Sequence, residues 1–157
     1  MTTDLELKDI AEKLNFKTPF KGVFMRDELK NASENECLIL NLNDSKVSPE
    51  DNSQTGHWTC LFKRKEKKYY FCSYGSPLPE EVKTYLGKSI LYHDYVIQPM
   101  GTAICGELCL LFLKLMDEGN SYADTVLTLL EQFEEEEEGN QEGNQEEKQK
   151  VELEVKA

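Results

Sequence analysis

The sequence predicts an α+β domain. Helical periodicity opens and closes its apolar part, most β-prone runs fall between, and 39% hydrophobic content in 157 residues suits one modest core. The expected folded unit is residues 1–133. From Glu134 onward the chain reads "EEEEEGNQEGNQEEKQKVELEVKA", low in complexity and poor in apolar residues, so 134–157 is expected to be a disordered acidic tail.

Thr3 and Glu6 form a capping-box pattern, and Leu7, Ile10, Ala11 and Leu14 recur at helical spacing, which predicts an amphipathic helix over 4–14. "FKGVFM" around Val23 and "ECLILNL" over 36–42 read as short strands, the second apolar enough to be central. The Pro-, Gly-, Asn- and Ser-rich stretch that follows is a loop leading to His57. "HWTCLF" and "KYYFCSY" predict an antiparallel hairpin across the charged segment Lys63–Lys67. If its turn centres on Arg64 and Lys65, His57 faces Cys72 to within a residue or two. Pro79 stands near the start of a short helix, and "SILYHDYVIQ" predicts a strand ending near Gln98. Residues 102–116, "TAICGELCLLFLKLM", predict a helix buried nearly all round, and Ser121 caps a last amphipathic helix.

Charge and cysteine usage narrow the function. The net charge is −12, and ten of the 30 acidic and three of the 18 basic residues lie from residue 134 onward, leaving 20 and 15 before it. So acidic a chain makes DNA an unlikely partner, because phosphate binding needs clustered Lys and Arg. The basic run Lys63–Lys68 reads as a solvated hairpin tip. No apolar stretch is long enough to span a bilayer, and the N-terminus lacks a secretory pattern, so no membrane association is expected. Five cysteines, an odd number without short paired spacings, predict free thiols in a reducing intracellular compartment, cytoplasm or nucleus. Cys37, Cys60 and Cys109 sit in apolar runs as small hydrophobes, whereas Cys72 and Cys105 do not.

Cys105 falls at the first turn of the buried helix, where unsatisfied N–H groups and the helix dipole favour an anion and lower a thiol pKa. Gly106 removes side-chain bulk beside it, which would let a substrate carbonyl approach. A nucleophilic cysteine needs a base, and the chain has two histidines. His57 stands at a loop-to-strand junction beside Trp58, the only tryptophan, while His93 reads as a partly exposed strand residue near Asp94. Gln98, seven residues before Cys105, has an amide able to donate to a tetrahedral oxyanion.

The segments "ELKDIAEKL", "FKGVFMRDEL", "ECLILNLNDS", "GHW" and "YFCSYG", with the Gln98-to-Cys105 spacing and "CGELCLLFL", together resemble the adenain-like cysteine proteases. These are enzymes of adenoviruses, virophages and Polinton-type transposons, distantly related to ubiquitin-like-protein proteases. The resemblance covers most of residues 5–130. It implies a papain-like α+β fold with a mixed, mainly antiparallel sheet against a central buried helix and flanking helices. It also implies Cys105 as nucleophile, His57 as general base and acid, and Gln98 with the Cys105 backbone N–H as oxyanion hole; Trp58 and Gly106, next to His57 and Cys105 in sequence, are the expected substrate contacts. Where relatives carry an acidic residue, this chain has Cys72, so the group that orients His57 is missing from the pattern; Asp44 and Asp94 are the replacement carboxylates to test.

The function so implied is a thiol endopeptidase that matures capsid or other structural precursors of a virus or virus-like element, possible packaging in the virion included. No cofactor is expected. The activating peptide and DNA of adenoviral relatives are not carried over: acidity disfavours DNA, and no peptide site is recognisable. Alternatives are an isopeptidase acting on ubiquitin-like modifiers, and a degenerate protease kept as a binding or scaffold module. Cys72, His57 and Cys105 also form a conceivable three-ligand zinc set, more an accidental inhibitory site than a resident one.

Overall fold

A computed structural model describes residues 3–43, 57–98 and 104–138, with side chains through residue 133. The described elements are α1 (Asp4–Leu14), β1 (Phe20–Met25), a 3-10 turn (Arg26–Glu28), β2 (Asn35–Asn41), β3 (Trp58–Arg64), β4 (Lys67–Phe71), α2 (Glu80–Leu86), β5 (Ile90–Leu91), α3 (Cys105–Asp117) and α4 (Tyr122–Glu138).

The five strands form one mixed sheet in the order β1-β2-β3-β4-β5. The two inner pairings, β2 with β3 and β3 with β4, are antiparallel, and the outer two are parallel. As its composition predicts, β2 is central, with Glu36–Asn41 buried. Side-chain alternation gives the sheet two covered faces. On one, Cys37, Ile39, Trp58, Cys60, Phe62 and Phe71 meet Leu7 of α1, Leu108, Phe112 and Leu113 of α3, and Val126 and Leu129 of α4. On the other, Leu38, Leu40, Leu61, Tyr70 and Cys72 pack against Val82 and Leu86 of α2. The domain is therefore a three-layer α+β structure.

In α3 only Glu107 of its first twelve residues is exposed. Its deepest side is Leu108, Cys109, Phe112, Leu113 and Met116, with Leu111 and Leu115 half-buried. Phe112 stacks on Phe71 with ring centroids 4.7 Å apart. Asp117, at the far end of the helix, accepts from the backbone amides of Lys17 (2.7 Å) and Thr18 (2.8 Å), pinning the α1–β1 connection to α3. Burial pushes the Asp117 pKa up, but these two amides, the Thr18 side chain and Arg64 pull harder and hold it low.

Local sequence signals account for the helix starts. The Thr3 hydroxyl accepts from the Glu6 amide at 3.2 Å, and the Ser121 hydroxyl accepts from the Asp124 amide at 3.1 Å. α4 continues to Glu138, past the expected boundary at 133, glutamate being intrinsically a good helix former. The rest of the expected tail, 139–157, lies outside the described residues, as do the loop 44–56 and residues 99–103.

Two expectations fail at the β4 edge. The hairpin turn is Lys65–Glu66, with Arg64 opposite Lys67 and Cys60 opposite Phe71, because Lys65 adopts the left-handed conformation (φ 55°) that a two-residue turn requires. "SILYHDYVIQ" is not one long strand: pairing with β4 stops after Ile90 and Leu91. Beyond Leu91 the chain folds inward. His93 is buried among Phe71, Tyr95 and Tyr122, and the amides of Ile97 and Gln98 both donate to the Ser73 carbonyl, at 2.7 and 3.0 Å.

Candidate active site

The three expected site residues lie on different parts of the chain: Cys105 on α3, His57 just before β3 and Gln98 at the end of the segment that follows β5. Cys105 is the first residue of α3, and its N-cap, Ile104, supplies no side-chain hydrogen bond to the first turn. The backbone N–H groups of Cys105 and Gly106 favour a thiolate there. The Trp58 amide donates to Cys105 Sγ at 3.4 Å. The thiol therefore lies against the start of β3, one peptide away from His57.

Burial outweighs those donors. The Cys105 pKa is raised from its ordinary value, desolvation being the largest cause, with the Trp58, Gly106 and Cys105 amides pulling the other way. The expected lowering of the thiol pKa by the helix N-terminus is thus overturned. Desolvation likewise lowers the His57 pKa to about 4. Near neutral pH the resting pair is a neutral thiol and a neutral imidazole.

His57 is half-buried, and the residue beside it is Tyr74, two positions past Cys72 and at the edge of the range the hairpin symmetry allows. Strand pairing ends with Cys60 opposite Phe71, and the turn that follows β4, closed by the Gly75 amide on the Cys72 carbonyl, brings Tyr74 to His57. The Tyr74 ring stacks on the imidazole, with centroids 4.4 Å apart and planes 24° apart. Cys72 is 1% exposed and packs with Leu38, Leu40, Leu61, Tyr70, Val82 and Leu86, on the sheet face turned away from α3. Cys72, His57 and Cys105 do not converge as a zinc set, and among the described residues no group of three potential ligands does. Of the replacement carboxylates, Asp94 is exposed and Asp44 lies outside the described residues.

Gln98 is fully buried, and its amide is held at both ends. Oε1 accepts from Ser73 Oγ at 2.6 Å, and Nε2 donates to the Tyr74 hydroxyl at 3.2 Å. The NH₂ end thus faces the Tyr74 hydroxyl, whose ring lies on His57. Ser73 and Tyr74 escape a sequence reading that follows acids and bases. The signal that could have found them is positional: Tyr74 lies two residues past Cys72, within the range the hairpin symmetry allows, and Ser73 stands next to it.

Gly106 and Trp58, the two expected substrate contacts, also have packing roles. A Cβ on Gly106 would stand 2.9 Å from Leu7 Cδ2 and 3.4 Å from Trp58 Cδ1, so the glycine lets α1 and β3 pack onto the first turn of α3. Trp58 is 6% exposed and belongs to the core; it contributes its backbone N–H to the site. His93, expected to be partly exposed, is 6% exposed. Its Nδ1 lies 2.9 Å from the Tyr122 hydroxyl, which itself donates to the Tyr70 carbonyl at 3.0 Å, so Nδ1 carries the proton and the ring is structural.

No protein-family model matches the chain, and no curated protein matches it in sequence. Among solved structures, the chain is similar to the ASFV pS273R protease, with a TM-score of 0.43 and 17% identity over 62% of this chain. The match spans 39% of that protein. Among the described residues no helix is long and apolar enough to cross a membrane.

Proposed function

We propose that this chain is a cysteine endopeptidase with Cys105 as nucleophile and His57 as general base and acid. The observation that carries the reading is the 3.4 Å contact from the Trp58 amide to Cys105 Sγ, which seats a helix-N-terminal thiol beside the strand residue that follows the imidazole. His57 takes the thiol proton as sulfur forms a bond to the substrate carbonyl carbon. The carbonyl oxygen becomes an oxyanion, for which the Gln98 Nε2 group and the Cys105 backbone N–H are the assigned donors. On collapse the C–N bond breaks, the imidazolium protonates the departing amine, and a thioester remains. Water activated by His57 then hydrolyses it and restores the thiol. Because thiol and imidazole start neutral, charge separation belongs to the reaction and not to the resting state.

The motif resemblance extends the proposal to substrates: protein precursors of the structural components of a virus or virus-like element, cut after small residues. Incubating such precursors from the same genome with wild type and with Cys105→Ala tests this. Wild-type-only cleavage is expected, and equal cleavage by both removes the assignment. A ubiquitin-like modifier bearing a C-terminal electrophile tests the isopeptidase alternative, for which labelling of Cys105 without precursor cleavage is the signature. A second reading, a degenerate protease acting as a binding module, is favoured by the raised thiol pKa and by Cys72 in the acidic position. It predicts that neither probe is turned over.

A further inference from the structure

The turn after β4 is clamped to the segment that ends at Gln98. The Ser73 carbonyl accepts from the Ile97 and Gln98 amides, at 2.7 and 3.0 Å, and the Gly75 amide closes a turn onto the Cys72 carbonyl at 2.9 Å. Gly75 has φ 67°, and a Cβ there would stand 2.5 Å from the Tyr95 carbonyl oxygen, so only glycine permits this approach. Tyr74, between Ser73 and Gly75, therefore has its backbone fixed from both sides. Its ring lies on His57 and its hydroxyl accepts from Gln98 Nε2.

We propose that Tyr74 is the positioning residue of the pair: its ring fixes the plane of the His57 imidazole in place of the carboxylate expected at position 72, and its hydroxyl ties that plane to the Gln98 amide. The inference rests on the reading of Cys105 and His57 as nucleophile and base. A carboxylate acts through a hydrogen bond that selects a tautomer, whereas a stacked ring restricts rotation about χ2 and shields one face of the imidazole from water. The Ser73–Gln98–Tyr74–His57 sequence of contacts also couples the base to the proposed oxyanion donor.

The test uses the full chain, with NMR titration of the histidine ring protons and steady-state hydrolysis of the p-nitrophenyl ester of an N-acylglycine. Only two histidines are present, so a His93→Phe reference assigns the signals. In the wild type, His57 is expected to titrate near 4. Tyr74→Leu should move it at least a full unit toward the ordinary 6.5, whereas Tyr74→Phe, which keeps the stack, should leave it unmoved. Tyr74→Phe should lower kcat about tenfold at unchanged KM, the scale of one lost hydrogen bond that holds the proposed oxyanion donor in place. An unmoved titration in Tyr74→Leu overturns the role of the ring. If that variant does not fold, an unchanged kcat in Tyr74→Phe overturns the proposed coupling by itself. Ester hydrolysis that survives Cys105→Ala instead overturns the peptidase reading, while the titration still reports whether Tyr74 holds His57.

Discussion

Acidification should weaken the fold through its buried histidine. His93 is 6% exposed and enclosed by Phe71, Tyr95 and Tyr122. Burial lowers its pKa from 6.5 to about 4, against smaller opposing contributions from the Cys72 backbone and Asp94. The unfolded chain binds a proton in the window between those values and the folded chain does not. The stability that neutral His93 contributes is thus fully present above pH 6.5 and is lost as pH falls toward and through 4. Between pH 7 and pH 5 the loss amounts to about 2 kcal/mol, a large part of a small domain's margin. Urea denaturation followed by Trp58 fluorescence at pH 7, 6 and 5 measures it. His93→Phe fits the same aromatic surroundings, leaves the Tyr122 donation to the Tyr70 carbonyl intact and has no proton to take up. Its stability should fall by about 2 kcal/mol less than the wild type's over that range. Equal falls in the two proteins refute the burial argument.

The pH response of the site itself is checked by iodoacetamide: with a buried, upward-shifted thiol, Cys105 alkylation should keep rising above pH 8, and a plateau at pH 6–7 would mark a preformed thiolate instead. Gly106→Ala should destabilise by about 1–2 kcal/mol through overlap with Leu7, net of alanine's better helix propensity. That cost should largely vanish in a Leu7→Ala background, and an additive double mutant would show that the contact is not the cause. Asp117→Ala leaves the Lys17 and Thr18 amides without their acceptor and should cost about 2–3 kcal/mol in urea denaturation; a loss under about 1 kcal/mol would mean that water replaces the carboxylate.

Much of this protein follows from local patterns. The span of α1, its Thr3 cap, the strand character of β1 through β4 and the burial of α3 follow from spacing and composition, because periodic apolar residues report directly on which face must leave water. The position of Cys105 at a helix start was legible for the same reason. What sequence could not supply was the turn at Lys65–Glu66 and the turn after β4, closed by the Gly75 amide on the Cys72 carbonyl, which brings Tyr74 and not Cys72 to His57. Nor could it weigh desolvation against helix-terminal amides at Cys105: the donors are local, but the burial that overrides them comes from elements distant in sequence. Gly106 illustrates the same limit, since its reason is the Leu7 side chain from the other end of the chain. Periodicity and capping are properties of neighbouring residues; register, desolvation and close approach belong to pairs that only the folded chain brings together.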